Sequence, residues 1–316
     1  MAVSGSKDFS ITRADIIEAA LRKIGVYDQG EAVPGEEVPD AALALNLMVK
    51  EWVMDGADIF LRTESTLFLQ PDTQSYNLST DHITDSYVES TLASAVTSGT
   101  STSIPVTDSL TNGMSASDFI GIKMDDNTIH WSTISAINAG DLVNIADATD
   151  DDAAAGNKVY AYTTKSDRPQ KILYAFRSDK NGFDTEISVI GENEYRRQSN
   201  KTADGAPTEI WYNPQGNQAT GKLSVWPDNG GVDWDKIVLI AQHLPDDFDA
   251  GANNPDFPIE WGNALVWGLA AELCSEYSIP EREQTRIWSI ANNKLQKALD
   301  YDVENASVIF ALDSMR

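Results

Sequence analysis

The sequence predicts an α+β protein: a helical body built from both chain termini, a central antiparallel β region, and an inserted small β domain. Three observations carry that expectation. Apolar residues recur at helical spacing near both ends, and they give way to short alternating runs in the middle. Between Thr91 and Thr164 the composition itself changes, with no Arg, no Glu and Pro105 as the sole proline. The predicted layout places the helical body at 1–66 and 256–316, the β region at 67–90 and 165–255, and the insert at 91–164. With 316 residues, 41% of them hydrophobic, the chain is long enough to bury a substantial core.

The first helix opens at Thr12, with Asp15 three residues on, a capping box in which each side chain satisfies a free backbone N–H. Gly25 stops it, and Ile16, Ala20, Leu21 and Ile24 line one face. Pro39 stands where a second helix begins and Gly56 where it ends, with Ala41, Leu45, Met48 and Trp52 as its stripe. From Leu67 the period becomes that of strands. Inside the insert, Phe119–Met124 and Thr128–Ile134 are β-branched runs between Asp/Asn/Gly turns, the pattern of a small sandwich or barrel.

Strand signals resume over 171–240, notably Lys171–Phe176 and Lys236–Ile240, broken by Pro207, Pro214 and Pro227. A loop rich in Pro and Asp, Leu244–Phe257, leads to Pro258, which opens a helix running to about Tyr277. A last helix from about Glu281 to Val303 carries Ile287, Ala291, Leu295 and Ala298 on one face, so the two form an antiparallel hairpin. The tail Ala306-Ser307-Val308-Ile309-Phe310 is strand-like, suited to a sheet edge of a neighbour or to docking on its own subunit.

Charge and motifs exclude more than they nominate. Lys and Arg total 23 against 49 Asp and Glu, a formal charge of −26, with a pI near 4.2. Such a chain is poorly suited to wrapping nucleic acid, where affinity rests on cations neutralising phosphates. The single cysteine, Cys274, sits in an apolar helical pattern and behaves as a small hydrophobe. No apolar stretch reads as a signal peptide or a membrane span, so synthesis and assembly in the cytoplasm are expected.

His82, His130 and His243 are scattered, without metal-ligand spacing. No phosphate-cradling glycine loop is present. Asp147, Asp150, Asp151 and Asp152 lack the alternation and glycine placement of a calcium loop and read as a solvated turn. Asp246 and Asp247 read as loop solvation. Arg168, Lys171, Arg177, Lys180, Arg196, Arg197 and Lys201 interleave with acids as a mixed surface. No catalytic, cofactor-binding or metal-ligating residue is nominated, no cofactor is expected, and the chain is not expected to be an enzyme.

Three stretches carry a resemblance. One is Ala19–Gly25 followed by Ala42–Trp52. A second is Gly205-Ala206-Pro207-Thr208-Glu209-Ile210-Trp211-Tyr212 with Leu223–Asp228. The third is Asp256-Phe257-Pro258-Ile259-Glu260-Trp261-Gly262-Asn263-Ala264-Leu265, continuing through Leu273 and ending near Glu304–Phe310. Together they resemble the podovirus head-to-tail adaptors, also described as packaged-DNA stabilisation or tail tubular A-type proteins.

The resemblance implies a homo-oligomeric ring of about twelve copies between portal protein and tail nozzle protein. Its implied setting is the virion, at the portal vertex. Packaged DNA would pass through the ring without sequence-specific binding, and no membrane is involved. The rival expectation is a receptor- or carbohydrate-binding β-rich tail protein, with Trp131, Trp211, Trp226 and Trp234 stacking on sugars.

Overall fold

The computed structural model describes residues 9–28, 30–54, 59–99, 102–109, 112–179, 181–215, 220–229 and 234–301. Gly56, Lys180, Val303 and the strand-like tail 306–310 lie outside these.

Helix α1 (Arg13–Lys23) is fixed at both ends by its own sequence. The Thr12 N–H donates to Asp15 Oδ2 at 2.9 Å, and the Asp15 N–H donates to Thr12 Oγ1 at 3.2 Å. At the other end Gly25 takes φ +77°. The Val26 N–H then returns to Leu21 O and the Gly25 N–H to Arg22 O, so carbonyls left over at the helix end are satisfied. Helix α2 (Val38–Met54) buries Ala41, Leu45, Met48 and Trp52.

The chain then turns to strands. β1 (Arg62–Phe68), β2 (Ser75–Leu78) and β3 (Ile83–Thr84) precede β4 (Val88–Thr91), β5 (Ser103–Pro105) and β6 (Phe119–Lys123). β7 (Ile129–Asn138), β8 (Leu142–Ile145) and β9 (Lys158–Tyr162) follow. After β10 (Lys171–Asp179) and β11 (Asp184–Val189) comes the short helix α3 (Glu192–Arg197), then β12 (Glu209–Asn213), β13 (Gly221–Trp226) and β14 (Trp234–Gln242). Helices α4 (Gly262–Leu273) and α5 (Glu281–Tyr301) close the described chain.

Two compact units result, one of residues 1–61 with 244–316 and one of residues 62–243. In the first, α1, α2, α4 and α5 share a single core that includes Ile16, Leu21, Leu45, Trp261, Leu265 and Leu269. Burying each large member contributes about 1.5 to 3 kcal/mol, which holds together helices too short to persist alone. Gly268 sets the closeness of α4 to α2: a Cβ there would stand 2.5 Å from Trp52 Cζ2 and 2.8 Å from Met48 Sδ.

The second unit contains two sheets. One has eight strands in the order β2-β13-β12-β11-β10-β14-β1-β3. The other has six, in the order β4-β9-β6-β7-β8-β5. Its two ends also meet, because the Ala93 N–H donates to Pro105 O and the Thr107 N–H to Thr91 O, both at 2.8 Å, around a Leu92–Val106 bridge. The sheet thus curls into a barrel in which its two edge strands meet each other. Ile104, Val106, Ile120, Ile122, Val143 and Val159 fill its interior and are fully buried. Phe68 on β1 packs against barrel residues Tyr160 and Trp131, with ring centroids 4.8 and 5.1 Å away, so an aromatic layer joins barrel to sheet.

These findings correct the expected fold class. Among the described residues there are fourteen strands and five α-helices, so the protein is mostly β and not an α+β protein organised on a helical body. The helical stripes are long and periodic, whereas strands such as Ile83–Thr84 and Ser103–Pro105 are too short to carry a period, so the sequence weighs helices too heavily. The central region is also not wholly antiparallel, since β11 and β12 pair in parallel. That pair is joined by a crossover containing α3, as parallel neighbours require.

Candidate functional site

The residues weighed from sequence do not converge. His82 lies flat on Trp131, ring centroids 3.8 Å apart, with Nδ1 2.7 Å from the Tyr162 hydroxyl. Burial, with Lys165 adding to it, pushes its pKa down to about 3. His130 is buried, its Nδ1 2.7 Å from Asp150 Oδ2. His243 is lowered by burial as well.

Among the carboxylates of the 147–152 turn, Asp152 Oδ1 accepts from the Ser98 N–H at 2.7 Å and Asp151 Oδ1 from the Asp152 N–H at 2.8 Å. They hold a turn together and share no common centre. Asp247 pairs with Lys50 at 2.7 Å. Cys274 is buried, and its thiol donates to Ala270 O.

Four of the basic residues of the second β stretch are occupied locally. Arg177 donates to Pro207 O at 2.6 Å, Arg196 pairs with Glu192 at 2.7 Å, Lys201 donates to Tyr195 O at 2.5 Å, and Arg168 donates to Pro214 O. The indoles named for sugar stacking are engaged too. Trp131 is covered by His82, Trp211 stacks on Tyr195 at 5.3 Å, and Trp226 Nε1 donates to Asn200 O at 2.7 Å. The Trp234 side chain lies outside the described residues.

Two features emerge that the sequence reading passes over. The first is a groove of about 350 Å³ along α2 and the end of α4. Leu43 and Leu47, 60% and 63% exposed, stand one turn apart on α2, on the side away from its buried stripe. Around them lie the carboxylates of Asp40, Glu51, Glu272 and Glu276. Burial, then repulsion from Glu51, raises the Glu272 pKa, as expected where carboxylates crowd without a cation. Apolar side chains this exposed, rimmed by charge, are a signature of a contact surface.

The second is a cluster of Asp72, Asp204 and Asp228, whose carboxylates each offer an oxygen within 4.8 Å of the others. The residues are far apart in sequence: Asp72 sits in a turn, and Asp204 and Asp228 face one another across an isolated parallel bridge. The sheet brings them together: β13 runs antiparallel to both β2 and β12, so the start of β2, the start of β12 and the end of β13 share one end of the sheet.

Compared with known proteins, the chain matches no family model and no curated protein. Among the described residues no helix is long and apolar enough to cross a membrane.

Proposed function

We propose that this chain is a structural, non-enzymatic subunit of a phage head-to-tail connector. It forms a ring of about twelve copies at the portal vertex of the virion, between portal and tail nozzle. In that position it retains the packaged genome and provides the channel through which DNA leaves. The observation that carries this reading is the groove on α2. Leu43 and Leu47 supply an apolar seat, and the four surrounding carboxylates select a basic partner. A second copy of so acidic a chain would meet repulsion there, so we assign the groove to a basic segment of the portal.

The residues of the resemblance lend further support, because Ala42–Trp52 contains both the groove's Leu43 and Leu47 and the buried stripe beneath them. The charge of −26 suits a channel that must not grip its cargo. Only carboxylates within roughly 8 Å of the duplex act on it at physiological salt, so the expected signature is weak binding with a shallow salt dependence. A gel-shift titration of assembled rings against linear duplex measures this. Tight binding that climbs steeply as salt is lowered would exclude a low-friction channel.

The β-rich unit equally suits a receptor- or carbohydrate-binding tail protein. The engagement of Trp131, Trp211 and Trp226 with their own neighbours disfavours sugar stacking on those rings. A glycan array with the full chain separates the two readings, since the connector needs no glycan affinity.

A further inference from the structure

We propose that the turns at the shared end of β2, β12 and β13 form a calcium site, ligated by the carboxylates of Asp72, Asp204 and Asp228. This goes beyond the connector reading and does not depend on it.

The buried member carries the argument. Asp228 is 3% exposed, and its Oδ1 has no hydrogen-bond partner among the described residues. The carboxyl group otherwise meets a long contact, 3.4 Å from Gln74 Nε2, and the carboxyl of Asp204 within hydrogen-bonding reach. A carboxylate oxygen withdrawn from water and left without a donor is costly, and such groups are matched by a proton, a cationic side chain or a metal. Among the described residues no Lys or Arg forms an ion pair with any of the three aspartates.

Geometry fits an ion at the centre. Two oxygens bound to one calcium ion stand at most about 5 Å apart, twice a bond of about 2.4 Å, and the three carboxylates fall within that reach. The ligand set is all oxygen, as a hard cation requires. Two of the three residues are exposed, which leaves room for waters to complete a coordination of six to eight. Magnesium, which demands regular octahedral geometry and gives up water reluctantly, is the poorer match for loop carboxylates.

The turns are positioned before any ion arrives. The Gly205 N–H donates to Asp228 O at 3.0 Å, the Asp228 N–H to Ala203 O at 2.9 Å, and the Asp72 N–H to Asn229 O at 3.0 Å. Binding therefore spends little on ordering the ligands, and the ion ties three turns at one end of the sheet.

The test uses the full chain, dialysed against EDTA and then titrated with calcium chloride or magnesium chloride. Isothermal calorimetry and thermal unfolding are the readouts. The expected result is one calcium ion per chain and a midpoint raised by about 5 °C at a hundredfold excess over Kd, with a much smaller response to magnesium. Asp228→Asn should abolish the response. Because that buried variant is the one at risk of misfolding, Asp72→Asn and Asp204→Asn are measured beside it. Asn tolerates the φ of +54° at position 72, and each of these variants should weaken calcium binding at least tenfold.

Three results would overturn the site. One is a parent chain indifferent to calcium, with Asp228→Asn more stable than the parent, which would mean a shared proton. Another is unchanged calcium affinity in Asp72→Asn and Asp204→Asn, which would mean diffuse binding to an acidic surface. The third is an equal response to both cations, which would mean screening alone.

Discussion

Lys236 Nζ on β14 stands 2.8 Å from a carboxylate oxygen of Glu89 on β4, so an ion pair ties the eight-stranded sheet to the barrel. The lysine side chain is 7% exposed and the glutamate 36%. Lys236 also donates to the Tyr87 hydroxyl at 2.9 Å, and Lys158 reaches the second Glu89 oxygen at 3.0 Å. The partners are thus unequal. Lys236 is the deeper charge, and Glu89 retains a second cation if Lys236 is lost.

Glu89→Gln should therefore cost more than Lys236→Met, about 3 kcal/mol against about 1, because only the first leaves a buried charge without its counterion. Burial raises the Glu89 pKa, but the bonds from Lys236 and Lys158 outweigh it and the net shift is downward. The pair's stabilisation is then full above the ordinary glutamate range and is lost as pH falls through the lowered folded value. Urea unfolding from pH 7 to pH 3 should show a flatter acid limb in Glu89→Gln. Equal costs for the two variants at pH 7 would refute the asymmetry.

His82 gives a second acid effect with a different window. Its folded pKa of about 3 lies below the ordinary 6.5, so the unfolded chain takes up a proton that the folded chain refuses. Stability must fall as pH drops below about 6.5 and keep falling towards about 3. His243 acts in the same direction, so His82→Gln should reduce the slope of stability against pH and leave part of it. The slope is the relevant measurement, since losing the stack on Trp131 changes absolute stability at every pH. An unaltered slope would mean that His82 is not held neutral.

Gly268→Ala sets two effects against each other. Alanine improves helix propensity by about 1 kcal/mol. The added methyl would meet a rigid indole 2.5 Å away, and overpacking of this kind costs about 1 to 3 kcal/mol. Trp52 sits in a filled core and cannot withdraw cheaply, so net destabilisation is expected by thermal unfolding. A stabilised variant would show that α2 and α4 are not this close.

What could be read from the sequence was what is local. The capping box at Thr12 and Asp15 and the Gly25 stop involve residues a few positions apart, and the structure contains both. The stripes Ile16/Ala20/Leu21 and Ala41/Leu45/Met48/Trp52 are buried as their spacing implies. Strand pairing is another matter. Arg62 opposes Gln242, and no short-range pattern links the two.

The overestimate of the helical share has the same origin, because two- and three-residue strands leave no periodic trace. The acidic cluster was illegible for a related reason. Asp72, Asp204 and Asp228 are unconnected residues until β2, β12 and β13 align. Leu43 and Leu47 were visible as apolar residues at helical spacing, but only the packed helices reveal which line on α2 lacks a cover.

That uncovered line yields a direct variant. Leu47→Lys places a cation among four carboxylates on an exposed face, so folding should be unaffected, with the melting temperature within about 2 °C of the parent. Association with the portal should weaken at least tenfold in a pull-down with purified proteins. Undiminished association would move the contact away from the groove.

The decisive measurement for a connector subunit is negative-stain electron microscopy of the purified chain, alone and mixed with its purified portal. Closed rings seated on the portal, with an open central channel, are the expected result in the mixture. A chain that remains monomeric and unattached in the presence of portal would rule out the connector role.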